Sequence, residues 1–115
     1  MTKKLQSLVT SSLDDLKAQN VVMMNVTGIS DVMDHMIIAT GTSNRHVKSL
    51  ANNVITDAKE NNHQPIGVEG MSEGEWVLVD FGDTVVHIMQ QTTRDFYELE
   101  KLWAIAPPGK SQTST

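Results

Sequence analysis

The stretch EWVLVDFGDTVVHIMQ, residues 75–90, constrains the fold more tightly than any other part of the chain. It reads as two short strands joined by the turn Gly82-Asp83, with glycine at the first central position, where a primed hairpin turn needs a positive φ. So short a turn leaves no freedom of register. Phe81 must face Thr84, Asp80 Val85, Val79 Val86, Leu78 His87, Val77 Ile88 and Trp76 Met89. Side chains alternate across a strand, so both faces follow. Val77, Val79, Phe81, Val86 and Ile88 form one face, which reads as core. Trp76, Leu78, Asp80, Val85, His87 and Met89 form the other. That second face is too apolar for ordinary solvated surface, yet it carries a carboxylate and an imidazole. Such a mixture suits a protein contact.

A chain of 115 residues makes one domain with its own hydrophobic core. Cysteine is absent, which removes disulfides and thiolate metal sites and fits a reducing compartment. No apolar run approaches the roughly 20 residues of a membrane span. The opening MTKKLQSLVTSSLDDLK lacks the apolar centre and cleavage site of a signal peptide. The expectation is a soluble, cytoplasmic protein with no membrane association. Net charge is −5, and the Lys and Arg residues are scattered. Counterion release at a nucleic acid backbone needs a basic stripe, so little or no direct nucleic acid contact is expected. An acidic domain is better matched to a basic protein partner.

Elsewhere the periodicities alternate. Leu5, Leu8, Val9, Leu13 and Leu16 predict an amphipathic helix over residues 3–18. VVMMNV (21–26) is a β-rich run, and HMIIATG (35–41) is a continuous apolar strand suited to burial on both faces. Thr42-Ser43-Asn44 offers caps for a helix carrying Val47, Leu50, Ala51, Val54, Ile55 and Ala58, which Asn61-Asn62 ends. PIGVEG (65–70) is a short strand led by Pro65. Behind the hairpin, Thr92 and Asp95 have the spacing of a capping box, and Phe96, Leu99 and Trp103 trace the core face of a last helix. Pro107-Pro108 and GKSQTST read as a disordered tail, so the domain is expected to span 1–105 and the tail 106–115. The order α-β-β-α-β-β-β-α implies an α/β domain, a mixed five-stranded sheet with about three packing helices. The strand at 35–41, the helix at 43–61 and the strand at 65–69 should make a right-handed crossover between a parallel pair. Three helices are few for both faces, which leaves part of one sheet face available.

IIATGTSNRHVKSLANNV (37–54), PIGVEG (65–70), WVLVDFGDTVVHIMQ (76–90) and RDFYELEKLW (94–103), in that order, resemble the ribosomal silencing factor family, also called Iojap or RsfS-like. The likeness runs through residues 5–103, and the tail from Ala104 onward lies outside it. It implies an α/β fold related to nucleotidyltransferases but without their activity. It also implies a partner, ribosomal protein uL14 on the 50S subunit, whose occupation blocks joining of the 30S subunit and represses translation when nutrients are scarce. The family's contact surface carries over to Trp76 and its hairpin neighbours, the face already selected by alternation.

The protein-binding surface is therefore expected to comprise Trp76, Leu78, Asp80, Val85, His87, Met89 and Tyr97, with no catalytic residue, metal or cofactor. Each has a plainer reading beside it. A helix of the same domain would turn Trp76 and Met89 into ordinary core. Asp80 and His87 would suit an ion pair, half a metal site or a base with its orienter, but no further ligands stand at the spacing a metal needs. Tyr97 shares a helix face with Lys101 at the interface margin or on solvated surface. The strand-to-helix turn GTSNRH (41–46) has the free N–H groups of a helix start, so the alternative function is a nucleotidyltransferase-like enzyme holding a nucleotide there. No Asp-x-Asp pair follows to bind its metal ions, and the turn is not a P-loop. Arg45 and His46 place cations where the helix dipole disfavours them, which hints at an acidic group or partner. Glu69 is a lone carboxylate without a mechanism. The same apolar face also suits a symmetric homodimer.

Overall fold

In the computed structural model, the described residues are 4–28 and 33–97. Along them run α1 (Leu5–Asp15), β1 (Gln19–Asn25), β2 (His35–Gly41), α2 (Asn44–Glu60), β3 (Gly67–Glu69), β4 (Trp76–Asp80), β5 (Thr84–Gln90) and α3 (Gln91–Tyr97). Leu5, Leu8, Val9 and Leu13 are buried as their spacing requires, but α1 stops short of residue 18 and leaves Leu16 39% exposed. A Schellman closure ends it. Lys17 takes a left-handed φ of +63°, and the Ala18 and Lys17 N–H groups donate to the Leu13 and Asp14 carbonyls at 3.0 and 2.9 Å. α2 ends the same way, with Asn62 at φ +67° and the His63 N–H on the Ala58 carbonyl at 2.8 Å. At its start the Ser43 hydroxyl accepts the His46 N–H at 3.1 Å.

The mixed five-stranded sheet has the order β1-β2-β5-β4-β3. β2 and β5 are parallel, and every other neighbouring pair is antiparallel. The strands on either side of α2 do run in the same direction, but they do not pair, because the β4–β5 hairpin lies between them. The reason is burial: HMIIATG is inaccessible almost throughout and takes a partner on each side. The three-residue β3, with Pro65 just ahead of it, lies at the sheet edge, where missing partners meet water.

α1 and α2 cover one face, packing Leu8, Val9, Leu13, Leu50 and Val54 over Ile37, Ala39, Val77, Val79, Val86 and Ile88. They are cross-tied by Asn53 Nδ2, which donates to the Ser12 carbonyl at 2.9 Å, and by the Ser12 hydroxyl on Asp57. The opposite face has a smaller cluster of Val26, Met36, Ile38 and Met89, flanked by Met24, Met33 and Trp76. Only one short helix among the described residues, α3, reaches that face, packing on β5 and β2.

The last helix departs from the sequence reading. β5 runs straight into α3 at Gln91, so Thr92 lies inside the helix and the expected capping box does not form. Gln91 Nε2 instead donates to Asp95 Oδ1 at 2.7 Å. Phe96, expected in the core, is 78% exposed, because the helix phase is set by its continuity with β5 and by the burial of Arg94. Leu99, Lys101, Trp103 and the tail 106–115 lie outside the described residues.

Candidate functional site

The hairpin has the register its turn dictates, from Trp76 opposite Met89 to Asp80 opposite Val85. Gly82 has φ +97°, and the Phe81 N–H donates to the Thr84 carbonyl at 2.9 Å. Asp80 Oδ1 accepts the Gly82 N–H at 2.8 Å, so this carboxylate shapes the turn.

Cross-strand partners share a face, and the registers therefore lay the helix-poor side out in rows. One row runs Thr40–Met89–Trp76, the next Val22–Ile38–His87–Leu78–Glu69, the third Met24–Met36–Val85–Asp80–Gly67. Glu69 thus joins the face that alternation had selected. Its place was invisible in the sequence because nothing local says that β3 pairs with β4.

Trp76 is held from two sides. Its indole Nε1–H donates to His87 Nδ1 at 2.9 Å, and the Tyr97 ring lies over it with centroids 4.7 Å apart. Phe96 meets Tyr97 edge-on at 4.9 Å. His87 is 7% exposed, and burial lowers its pKa from 6.5 to about 4. The neutral ring keeps the Nδ1 lone pair that the indole needs. Among the described residues no hydrogen bond or ion pair joins Asp80 to His87, so the acid–base and ion-pair readings of that pair do not hold.

Accessibility divides the expected surface. Trp76, Leu78, Asp80 and Val85 are half-buried and Tyr97 is 51% exposed. Met89 is wholly buried in the smaller cluster, between Thr40 and Trp76 in the row nearest α3, so it supports the face from beneath and offers no contact of its own. For this residue the core reading is the right one. Two further residues shape the site. Gly70, with φ +89°, brings its backbone so close to Trp76 that a Cβ there would sit 2.1 Å from the Trp76 carbonyl oxygen. Arg94, 6% exposed, donates from Nη1 to the Asn20 carbonyl and the Thr40 hydroxyl, both at 2.7 Å. An arginine in the string QTTRDFY carries no sequence signal of burial.

The 41–46 turn spends its polar groups internally. The Thr42 N–H donates to His46 Nδ1 at 2.9 Å, and His46 Nε2 donates to the Leu16 carbonyl at 2.7 Å. His46 is therefore a bracket between α2 and the end of α1, with both ring nitrogens hydrogen-bonded within the protein. Gly41 is required by packing, since a Cβ there would lie 2.7 Å from Val47 Cγ2. Arg45 is exposed. Among the described residues no group of three or more His, Asp or Glu could hold a metal ion, and no helix is long and apolar enough to cross a membrane.

The chain is similar to known proteins in sequence and in fold. A family model described as "Ribosomal silencing factor during starvation" matches residues 1–115. Ribosomal silencing factor RsfS of Haemophilus influenzae is 44% identical over 100 residues, covering 87% of this chain and 98% of that protein. The mouse "Mitochondrial assembly of ribosomal large subunit protein 1" is 31% identical over 101 residues, which cover 85% of this chain and 44% of the mouse protein. A crystal structure of a Chromobacterium violaceum protein superposes with a TM-score of 0.86 at 39% identity, covering 95% of this chain and 91% of that one. One from Bacillus halodurans gives 0.79 at 38% identity, over 86% and 92%. The chain belongs to the ribosomal silencing factor family, RsfS.

Proposed function

We propose that this protein docks through the Trp76 face onto ribosomal protein uL14 of the large subunit and so prevents the small subunit from joining, repressing translation under nutrient limitation. Its family membership implies the coarser role, a ribosome-associated regulator of translation. The name of its mouse relative supports the large subunit as the partner. One observation carries the finer reading: an indole held by His87 and Tyr97 stands with the half-buried Leu78, Asp80 and Val85 on the sheet face that α1 and α2 do not cover. A half-buried, oriented Trp beside Leu78, Val85 and Tyr97 has the make-up of an interface hot spot. Asp80, Glu69 and the net charge of −5 suit a basic protein surface. The mechanism needs no bond-making step, because a domain seated on a bridge protein excludes the small subunit by volume. Locally, the hydrogen bonds within the 41–46 turn weigh against a nucleotide cradle there.

Sedimentation of 50S and 30S subunits tests the reading. Wild-type protein should travel with 50S and diminish the 70S peak. Trp76→Ala should keep its fold but weaken uL14 binding by about 2 kcal/mol, roughly thirtyfold, or more. A folded Trp76→Ala protein that still rides with 50S at wild-type occupancy moves the site elsewhere. Wild-type protein that neither binds 50S nor reduces 70S removes the silencing assignment.

A further inference from the structure

We propose that Arg94 is a positioning residue of the docking face: it latches α3 to β1 and β2 and so holds Tyr97 against Trp76 before any partner arrives. The inference rests on the docking reading above, to which it adds the element that pre-forms the surface.

The described part of α3 is Gln91–Tyr97, two turns whose stability comes from packing on the sheet more than from helix propensity. Something must hold it to the sheet, and within Gln91–Tyr97 the buried side chain is Arg94. Its guanidinium Nη1 donates to two acceptors at 2.7 Å, the Thr40 hydroxyl on β2 and the Asn20 carbonyl on β1. The second acceptor is available for a structural reason. The β1–β2 register shifts between Gln19 and Val22, taking Asn20 out of the ladder, and Asn20 has φ +49°. The irregularity in β1 and the latch are parts of one device.

Geometry carries the effect to the aromatic pair. Arg94 and Tyr97 are three residues apart on one helix and share a side of it. Arg94 reaches Thr40 at one end of the Thr40–Met89–Trp76 row, and Tyr97 meets Trp76 at the other. Met89, between them, is wholly buried. With α3 fixed at Arg94, the Tyr97 ring is confined above the indole, whose other side is fixed by His87. A surface already ordered loses less freedom on binding, so pre-organisation shows in affinity without new contacts. At 6% exposure Arg94 itself is no contact residue. Both bonds leave from one guanidinium nitrogen, whose two N–H directions are fixed by the planar group where a lysine ammonium would rotate.

The test uses the full chain and two variants that loosen the latch from opposite ends, Arg94→Met and the near-isosteric, charge-neutral Thr40→Val. NMR on the free protein reads the cross-relaxation between the Trp76 and Tyr97 rings and the solvent exchange of the Trp76 indole N–H. Binding kinetics to purified uL14 are read beside it, with Trp76→Ala as reference. The expected result is loss of the ring contact and faster indole exchange in both variants. Affinity should fall about tenfold, mostly through faster dissociation, and the double variant should be little worse than Arg94→Met alone. Should Arg94→Met fail to fold, Thr40→Val carries the test. A retained ring contact with unchanged indole exchange in the folded variants overturns the latch, whatever the docking site. Lost ring contact with wild-type affinity overturns its positioning role if Trp76→Ala still weakens binding. If Trp76→Ala binds normally too, the docking reading fails and the proposal with it.

Discussion

At the scale of single residues, His87 and Glu69 give the face its chemistry. Burial holds the His87 pKa near 4, against 6.5 when free, so the folded chain binds this proton less readily than the unfolded one. Above about pH 6.5 neither state is protonated at His87 and the residue imposes no penalty. As pH falls from 6.5 towards 4 the unfolded state gains the proton first, and stability declines by about 3 kcal/mol in all. Urea midpoints at pH 7 and pH 4 should show that decline in wild type and not in His87→Gln. Carboxylates titrate in both proteins, so the difference isolates the imidazole. A common pH slope would mean that His87 is solvated. Glu69 is exposed at the end of the His87–Leu78 row, where a carboxylate acts on encounter more than on the bound complex. On the proposed docking, Glu69→Gln should slow association with uL14 severalfold at low salt and leave dissociation alone. The difference should vanish at about 1 M salt, where screening acts within about 3 Å. Stopped-flow binding at two ionic strengths checks it.

At the scale of elements, close backbone approach decides where Trp76 stands. Gly70 combines φ +89° with a Cβ position 2.1 Å from the Trp76 carbonyl oxygen, so a side chain there must push β4 away or break the turn. Gly70→Ala should cost roughly 2 kcal/mol or more in denaturant unfolding. Gly67→Ala, three residues earlier in β3, meets nothing within 4 Å and serves as the neutral control. The loop after Gly70 is pinned as well. Asn44 Nδ2 donates to the Glu73 carbonyl at 2.8 Å, and the Gln90 amide to the Gly74 carbonyl at 3.3 Å. The caps of α2, its hydrophobic stripe and the hairpin register were all legible in the sequence, because each depends on residues within one or two turns. The α3 capping box at Thr92 and Asp95 was equally local in form. It gave way because β5 passes into α3 with no residue between Gln90 and Gln91 to turn the chain.

At the scale of the whole molecule, the proposed docking rests on asymmetry. α1 and α2 share one face of the sheet, and the other has a smaller buried cluster of Val26, Met36, Ile38 and Met89 with the half-buried Trp76 at its margin. On the proposed docking, a surplus of acidic charge suits a basic partner for the half-buried Trp76, Leu78, Asp80 and Val85. The Trp76→Ala sedimentation experiment belongs to this scale, since it asks whether the domain as a body occupies the place of the small subunit.

Local pattern was sufficient for the strands of the hairpin, for α2 and its ends, and for the face that carries Trp76, Leu78, Asp80 and Val85. Period-two alternation and a tight turn need no knowledge of the rest of the chain. Tertiary structure alone decided that β5 intervenes between β2 and β4, that Glu69 lies in the row of Leu78, and that Met89 is covered. It also turned Arg94 inward and Phe96 outward. Those outcomes depend on which distant segments share a sheet and on acceptors such as the Asn20 carbonyl, exposed by an irregularity in β1. Pairings over such separations are settled by competition among strands for burial and hydrogen bonds, and no stretch of sequence encodes that competition by itself.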